Sequence, residues 1–467
     1  MMSYQGLTTW LETETYENLK TEAMDHVWFP FQQWDDIKEQ DGPLILVEGN
    51  GVKLKDFEGK EYFDAFAGLA LVNVGHGRTE IANAVYDQLT TMHYNNPFAY
   101  TSIPTIKLAK KVASLTPSDL NKVFFTSGGS EAVETALKMA RQYHYNRGEK
   151  QRTKFIARKG SYHGVSLGSQ SVNSSTWTRR EIFEPLIGDN VLFAPQPLPY
   201  RCGGTGKTPS ECAISCANAV EEIILREGPD TVAAVIAEPI TASLGAVVPG
   251  PEYWPMLRDI CDKYGVILIA DEVINGFGRT GKMFAIEHFG VVPDIMTVAK
   301  GITSGYQPVG ACIARDYIAE GFRGGKENTF GHGFTYGCHP AGGAAGLANI
   351  EIIERENLVE NAATLGSYLL EKLAPLKEHP TVGDIRGKGL LCAVELVKDK
   401  QSKENLNTIP GVEKKLTQRL KSNGMLTRAT TFLTVVPPLN VTKQDIDDMV
   451  DIVEDGISFI ERELNLT

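Results

Sequence analysis

The sequence predicts an α/β protein built around a mostly parallel β-sheet of seven strands. Between about residues 105 and 315, short apolar runs alternate with stretches of helical periodicity. The seven runs are VFFT (123–126), KFIAR (154–158), VLFA (191–194), VAAVIAE (232–238), VILIADE (266–272), IMTVAK (295–300) and VGACIA (309–314). Continuous apolar strands that alternate with helices are typical of a parallel sheet covered by helices on both faces.

The two ends of the chain predict a second, smaller domain. Residues 1–75 contain the aromatic stretch VWFPFQQW and a hairpin pattern, LILVEGNGVKLKDFEGKEYFDAF. Residues 341–467 begin with a helix of small residues and return to the strand-like runs LLCAVELV and FLTVVPPL. We therefore expect residues 76–340 to form a large domain, and the two terminal segments to pack together as a small α+β domain beside it.

Charge and hydropathy exclude several classes of partner. The chain has 467 residues and a formal net charge of −12, so it would repel a nucleic acid or an anionic membrane surface. No apolar run approaches the roughly 18 residues that a membrane helix needs. The N-terminal residues lack the basic and apolar regions of a signal peptide. We expect a cytoplasmic protein.

The seven cysteines do not suggest a disulfide framework, because their number is odd and they are scattered over a long chain. Cys202, Cys212 and Cys216 lie close together in the sequence. They show neither a CxxC motif nor a partner histidine at zinc-binding spacing. We expect these three residues to be ordinary thiols, and we expect no metal site.

Two glycine-rich segments resemble nucleotide-binding loops. CGGTGKT fails as a P-loop because Arg201 stands where the first glycine is required, and it reads better as part of a long surface loop from 196 to 212. GFGRTG, Gly276 to Gly281, matches G-x-G-x-x-G and follows a predicted strand. However, Asp271 and Glu272 lie between the strand and the glycines, where a pyrophosphate needs bare amides. A dinucleotide site there remains a weak alternative.

A third segment, TSGGSEAVETALKMARQY from Thr126, is a better candidate for binding a phosphate. Small residues follow the strand VFFT, and Glu131 opens a helix with an apolar stripe. The start of that helix would offer free amides and the positive end of the helix dipole to an anion. The alternative is an ordinary helix capped by Ser127 or Ser130.

Three charged residues stand where predicted strands end: Glu238, Asp271 and Lys300. Ligands of open α/β sheets bind at the carboxyl ends of strands, so all three should face one crevice. A desolvated lysine is a nucleophile toward aldehydes. A buried aspartate can keep a pyridine nitrogen protonated. Alternatively, Lys300 pairs with a carboxylate such as Asp294, and Asp271 only caps a strand.

A helix start that binds an anion, a strand-end aspartate and a strand-end lysine are together what pyridoxal phosphate requires. The chain resembles the class III aminotransferases, the pyridoxal-phosphate enzymes that act on ω-amino acids and amines. The resemblance runs from about Phe57 to Pro438 and rests on SGGSEAVETALKMAR, SYHG, AEP, ADEVINGFGRTG, TVAKG, HGFTYGCHP and RGKGL. It implies the fold type I architecture, a small domain from both termini, and a homodimer, or a tetramer, with active sites at the interface between subunits.

The resemblance also assigns the residues around the cofactor ring. Lys300 is similar to the lysine that binds the cofactor aldehyde and moves the proton between Cα of the substrate and C4′ of the cofactor. Asp271 matches the partner of the ring nitrogen. Val273 packs on one ring face, and Tyr162 stacks on the other with His163 beside it.

Further positions follow from the same resemblance. Gly129 and Ser130 would hold the phosphate, and Thr335 would reach the phosphate of the partner subunit. Arg428 resembles a mobile arginine that binds the carboxylate of the keto acid. Glu238, counted among the cofactor-binding residues, resembles the glutamate that can pair with that arginine. A solvated surface arginine is the alternative for Arg428.

The chain departs from the family pattern at two positions near the substrate. Many relatives have GLW where this chain has GLA, so Ala70 would remove a bulky wall of the pocket. Some relatives have glutamine where Ile274 stands. Four aromatic residues are expected to line the pocket, with core packing as an equal alternative: Trp28, Phe29, Phe31 and Phe98.

The sequence therefore predicts a dimeric transaminase that moves an amino group from an amine or ω-amino acid to a small keto acid such as pyruvate. A pyridoxal-phosphate mutase or decarboxylase is an alternative within the same fold, because Lys300 and Asp271 would serve it equally. A nicotinamide-dependent oxidoreductase that uses GFGRTG is an alternative from another class. A regulator that binds the cofactor without turnover is a third alternative, but the sequence contains no DNA-binding segment or basic patch that would support it. The identity of the amino donor is not predicted.

Overall fold

The computed structural model of the chain describes residues 13–337 and 339–466. Their strands are β1 (Leu46–Asn50), β2 (Lys53–Asp56), β3 (Glu61–Asp64), β4 (Leu120–Thr126), β5 (Lys154–Arg158), β6 (Val191–Ala194), β7 (Val232–Ala237), β8 (Ile267–Asp271), β9 (Ile295–Val298), β10 (Gly310–Arg315), β11 (Val382–Lys388), β12 (Leu391–Asp399), β13 (Glu404–Asn405), β14 (Met425–Leu426) and β15 (Phe432–Val435).

The α-helices of the described residues are α1 (Tyr16–His26), α2 (Trp34–Glu39), α3 (Ala67–Ala70), α4 (Thr79–Thr91), α5 (Ile103–Leu115), α6 (Gly129–Asn146), α7 (Leu167–Ser171), α8 (Arg180–Phe183), α9 (Pro209–Glu227), α10 (Tyr253–Tyr264), α11 (Asp316–Glu320), α12 (Pro340–Arg355), α13 (Leu358–Leu373), α14 (Val412–Ser422) and α15 (Lys443–Glu463). Within these residues, no helix combines the length and the apolar character that crossing a bilayer requires.

All seven predicted runs form one seven-stranded sheet in the order β4-β10-β9-β8-β7-β5-β6. The pairs β9–β8, β8–β7, β7–β5 and β5–β6 are parallel, whereas β10 runs antiparallel to both of its neighbours. The expectation of a mostly parallel sheet is therefore confirmed.

Helices cover this sheet on both faces, which explains why its central strands are apolar throughout. Side chains of adjacent residues in a strand point to opposite faces. Ile236 and Ile269 accordingly pack with Val133 of α6, while Val235 and Leu268 belong to the core cluster that contains α9 and α10. Every residue of β7, β8 and β9 is buried.

Residues from both ends of the chain share a second sheet. It has the order β1-β2-β3-β14, and β14 pairs in parallel with β3, so residues 425–426 lie beside residues 61–64. A third sheet contains β11, β12, β13 and β15. The domain boundaries at 75 and 340 stay predictions.

The segment GFGRTG is a turn that fastens the terminal segments to the large sheet. Arg279 is fully buried, and its guanidinium donates to the carbonyls of Leu390 (3.1 Å) and Pro437 (2.5 Å) and to Asn73 Oδ1 (2.7 Å). Burial lowers the pKa of Arg279 to about 9. Gly281 has a φ of +85°, and a β-carbon there would lie 2.8 Å from Ala363. These glycines serve chain packing, so they do not form a dinucleotide loop.

The expectation that Cys202, Cys212 and Cys216 are separate thiols is wrong for two of them. Cys202 and Cys212 form a disulfide, with their Cα atoms 5.8 Å apart. The loop before α9 folds back onto the first turn of that helix, which brings together two residues ten positions apart. Cys216 is a buried free thiol.

Candidate active site

A cavity of about 190 Å³ opens at the carboxyl ends of β7, β8 and β9, beside the start of α6. Its walls include the residues that the sequence places around a cofactor: Gly129, Ser130, Tyr162, His163, Glu238, Asp271, Val273 and Lys300. The structure therefore brings these residues to one crevice, as expected for the strand ends of a parallel sheet.

Lys300 directly follows the buried strand β9 and turns its side chain into the cavity. Its φ of +48° lies in the left-handed region, which a non-glycine residue adopts only at a cost. The ammonium donates to the carbonyl of Leu69 at 2.8 Å. Desolvation lowers the pKa of Lys300 to about 8, although the nearby charge of Asp271 opposes this effect.

The alternative partner of Lys300, Asp294, lies at the other end of β9. It accepts a hydrogen bond from the backbone amide of Leu268 at 2.7 Å and pairs with Arg258 at 3.1 Å. Asp294 therefore stabilises the opposite ends of the strands β8 and β9. Lys300 has no direct carboxylate partner among the described residues.

Asp271 ends β8 and is 3% exposed. Its Oδ1 accepts hydrogen bonds from the Val273 amide (3.1 Å) and from the Thr297 hydroxyl (3.0 Å). Its Oδ2 lies 2.6 Å from Nδ1 of His163, which donates when Asp271 is ionised. Three donors thus offset the loss of water around this carboxylate. Thr297 stands opposite Asp271 in the β8–β9 register, a pairing that the sequence analysis did not identify.

His163 lies between two carboxylates. Its Nε2 is 3.9 Å from Glu238 Oε2 and has no hydrogen-bond partner within the described part of the chain. Glu238 itself pairs with Arg158 Nη2 at 2.9 Å and accepts from the Tyr162 amide at 3.3 Å. The expected pairing of Glu238 with Arg428 is therefore not formed. Arg158 takes its place, because β5 and β7 are neighbouring parallel strands and these residues lie at their ends.

The start of α6 is open to the cavity. Its N-cap is Gly128, and neither Ser127 nor Ser130 supplies a capping side chain. Ser130 Oγ instead accepts from the Val165 amide at 3.1 Å. A β-carbon on Gly129 would lie 2.8 Å from a methyl group of Val273, so this position has no room for a side chain. An anion at this helix start would meet backbone amides, which is the arrangement that phosphate groups favour.

An aromatic wall that the sequence analysis missed closes the opposite side. The ring of Tyr162 stacks on Trp177 with centroids 4.7 Å apart. Phe31 contacts the edge of Trp177 at 5.0 Å, as expected for a residue near the pocket. Trp177 lies in a short 3₁₀ turn, Thr176–Thr178, inside an irregular segment with no periodic pattern, so nothing in the sequence identified it.

Arg428 lies against this wall. Its guanidinium carbon is 5.3 Å from the ring centroid of Trp177 and 5.5 Å from that of Phe432. No carboxylate of residues 13–337 or 339–466 forms an ion pair with it, and desolvation lowers its pKa. Arg428 is therefore a partly buried cation held by aromatic faces, and the alternative of a solvated surface arginine is wrong.

Three positions expected at the substrate pocket lie outside this cavity. Ala70 is 3% exposed and packs behind the wall with Ile240 and Phe432, because its φ of +57° turns it inward and leaves Leu69 at the surface of the cavity. Trp28 is 81% exposed and contacts Trp34, and Phe29 is partly exposed.

Thr335 also lies away from the cavity of its own chain. It is exposed on a turn, where its carbonyl accepts a hydrogen bond from the Tyr94 hydroxyl at 3.0 Å. Its contact with the phosphate of a partner subunit stays a prediction. Phe98 is exposed on the same side and lies against Gly333.

The residues around the cavity fit pyridoxal phosphate. The open helix start suits its phosphate, the buried carboxylate of Asp271 suits a protonated ring nitrogen, and the amine of Lys300 suits its aldehyde. The side chains of Val273 and Tyr162 supply an aliphatic and an aromatic surface for the two ring faces.

Comparison with known proteins gives the same result. The family described as Aminotransferase class-III matches residues 37–457. The putrescine–pyruvate aminotransferase of Pseudomonas aeruginosa is 38% identical over 92% of this chain and 93% of its own length. An (S)-enantioselective ω-transaminase from Thermomicrobium roseum superposes with a TM-score of 0.92 and 40% identity, over 96% of this chain and 99% of that one.

A second solved structure bears on the cofactor. The ω-transaminase of Pseudomonas jessenii, solved in complex with PMP, superposes with a TM-score of 0.91 and 35% identity, over 96% of this chain and 99% of that one. The family match, the shared fold type I architecture and the geometry of the cavity agree: this chain belongs to the class III aminotransferases and is a pyridoxal-phosphate-dependent transaminase.

Proposed function

We propose that this transaminase moves an amino group from an amine or ω-amino acid to a small keto acid, with pyruvate as the acceptor. The observation that carries the proposal is Arg428, a cation without a carboxylate partner in the described residues, held by aromatic rings beside the cavity that contains Lys300. A keto acid brings the carboxylate that this guanidinium lacks. The relative from P. aeruginosa, named for putrescine and pyruvate, supports this choice of substrates.

In this proposal, the open end of α6 binds the phosphate through the amides of Gly129 and Ser130. Asp271 accepts the N–H of the pyridine ring, while Val273 and Tyr162 hold the two ring faces. Pyridoxal phosphate supplies an aldehyde that exchanges between amines and a ring that accepts electrons from the substrate Cα. The hydrogen bonds from His163, Thr297 and Val273 fix the direction of the Asp271 carboxylate.

Lys300 carries the proton. With a pKa of about 8, its amine is partly unprotonated near neutral pH, so Nζ can take a proton from the Cα of the substrate. The same group would hold that proton at Nζ and release it on the cofactor side of the substrate, while bound pyridoxal phosphate would supply the electron-accepting ring. A group whose pKa lies near the working pH is suited to both steps.

Arg428 distinguishes the two substrates. Its planar guanidinium can grip a carboxylate through two parallel hydrogen bonds. When the substrate is an amine without a carboxylate, the faces of Trp177 and Phe432 hold the guanidinium aside. The same cavity therefore accepts both partners of the reaction in turn.

We also propose that the active unit is a dimer. A band of large apolar side chains is exposed on α4, on α5 and near the turn that contains Thr335, and it consists of Tyr86, Leu89, Met92, Phe98, Tyr100, Ile103, Ile106 and Tyr336. Apolar patches of this kind mark interaction surfaces. A second copy of the chain is the proposed partner, which would also bring Thr335 to the neighbouring active site.

Replacing Lys300 by alanine is expected to lower turnover by at least about a thousandfold, because the amine is both the attachment point and the proton carrier. The measurement is the change in the visible absorption of the bound cofactor when an amine is added, and its recovery with pyruvate. Lys159→Ala is the matched control, since Lys159 also follows a buried strand but is exposed. Appreciable turnover by Lys300→Ala would refute the assignment, and carbon dioxide release by the parent enzyme would indicate a decarboxylase instead.

The rate at which the apoenzyme takes up pyridoxal phosphate should rise with pH and level off above about pH 8. The reason is that only the neutral amine reacts, and the folded protein lowers the pKa of Lys300 to about 8, so the neutral form predominates above that pH. Stopped-flow absorbance measures the rate. The reaction of pyridoxal phosphate with free Nα-acetyl-lysine serves as the reference, because it shows how titration of the cofactor itself affects the rate. A rate that continues to rise to about pH 10, as an ordinary lysine would give, contradicts the lowered pKa.

Arg428→Ala is expected to raise KM for pyruvate by roughly ten- to a hundredfold, because the variant loses a hydrogen-bonded charge pair with the carboxylate of the keto acid. Use of an amine without a carboxylate should change little. Steady-state kinetics with each substrate varied in turn measures the difference, and Arg419→Ala, which removes an ion pair with Asp455 on the surface, is the control. Equal losses for both substrates would exclude a role in selecting the carboxylate.

Light scattering should give about twice the 51.2 kDa mass of the chain. Ile103→Glu, which places a charge in the apolar band, should shift the protein toward the monomer and reduce activity with it. Leu225→Glu is the matched control, because Leu225 is also exposed but lies on α9, outside the band. A monomeric and fully active parent protein would contradict the dimer.

A further inference from the structure

Three cysteine sulfurs converge beside the start of α9. Cys212 and Cys216 are four residues apart on α9 and therefore lie on one helix face. Cys202 comes from the preceding loop. The three sulfur atoms all lie within 4.8 Å of one another. We propose that, in the reduced protein, Cys202, Cys212 and Cys216 form a binding site for a thiophilic metal ion such as Zn²⁺ or Cd²⁺.

The loop that carries Cys202 is packed so closely on α9 that the three residues are held in place. A β-carbon on Gly204 would overlap the side chain of Ser215, and one on Gly206 would overlap the backbone at Cys212. The loop is also fixed at its end, because Thr208 and Glu211 form a capping box at the start of α9. The loop and the start of α9 therefore hold the three cysteines close together, and reduction of the Cys202–Cys212 disulfide would complete the site.

The disulfide between Cys202 and Cys212 accounts for only two of the three sulfurs. Cys216 is fully buried, and its Sγ donates a weak hydrogen bond to the carbonyl oxygen of Gln196 at 3.5 Å. The side-chain amide of Gln196 is itself buried, and neither of its polar atoms has a partner within the described residues. The neighbourhood of the three sulfurs thus contains an unused polar group that could complete the coordination of an ion.

The chemistry of the site selects soft ions. Three sulfurs that each lie about 2.3 Å from one zinc ion are about 4 Å apart, which is within the 4.8 Å span of the three sulfurs and which Cys202 and Cys212 can reach once their disulfide is reduced. The group contains no carboxylate, so it does not suit magnesium or calcium. Cys202 is partly exposed and gives an ion a path from solvent.

Formation of the site requires a reductant. A dithiol or a phosphine supplies the two electrons that break the Cys202–Cys212 bond, becomes oxidised itself, and leaves two thiols that each take up one proton. On binding, the three thiols release their protons to solvent, and each sulfur donates an electron pair to the ion.

The test uses the full-length holoenzyme, reduced with a phosphine and freed of it without air. Titration with Cd²⁺ should give one ion per chain, an ultraviolet thiolate-to-metal absorption band, and the protection of three thiols from a thiol reagent. Cys202→Ala should weaken the binding by at least about a hundredfold. Cys312→Ala, which removes a buried thiol from β10, should bind as the parent does.

Zn²⁺ should also raise the thermal midpoint of the reduced parent and of Cys312→Ala, but not that of Cys202→Ala, because an ion that binds only the folded state stabilises it. This second measurement does not depend on an optical signal. Binding that is absent, that is equal in the two variants, or that leaves the thiols reactive would overturn the proposal. A disulfide that no reductant opens in the folded protein would overturn it as well.

Discussion

The buried carboxylate of Asp271 is the element on which the rest of the site depends. Taking a carboxylate out of water costs several kcal/mol unless hydrogen bonds replace the lost solvent. Here the replacement comes from three directions: the following turn through Val273, the neighbouring strand through Thr297, and the segment after β5 through His163. A charge that needs all three donors holds three separate segments at fixed positions, and those segments form one side of the cavity.

Further contacts between charged and polar side chains extend outward from His163. Its second nitrogen faces Glu238, and Glu238 is in turn neutralised by Arg158, itself 1% exposed. The polar groups behind the cavity thus form one chain of contacts from Asp271 through His163 and Glu238 to Arg158. Lys300 stands apart from this chain of contacts, since it bonds only the neutral carbonyl of Leu69. Burial lowers the pKa of Lys300, and the lack of a carboxylate partner among the described residues lets the amine lose its proton.

The parts of this structure that follow from local sequence were predicted, and those that follow from contacts between distant segments were not. Apolar runs of strand length identified all seven strands, and the position of Asp271 and Lys300 at strand ends placed them in one crevice. The partner of Glu238 could not be predicted, because Arg158 meets it only once β5 and β7 are neighbours. Trp177 lies in an irregular segment, so no periodicity marks it.

Two features that the sequence does not reveal have the same origin. The position of Ala70 behind Leu69 depends on a positive φ at an alanine, which residue type alone does not indicate. The disulfide between Cys202 and Cys212 depends on a loop that returns to its own helix. In each case the sequence shows the residues, but the direction of the backbone decides what they contact.

Arg279 has a consequence for how the chain reaches this structure. Its three acceptors lie 206 residues before it and 111 and 158 residues after it. During synthesis the guanidinium must stay hydrated until Pro437, 158 residues further along the chain, has left the ribosome. Contacts of such long range slow folding. The large sheet can therefore form early, but its union with the terminal segments is a late event that a truncated chain never completes.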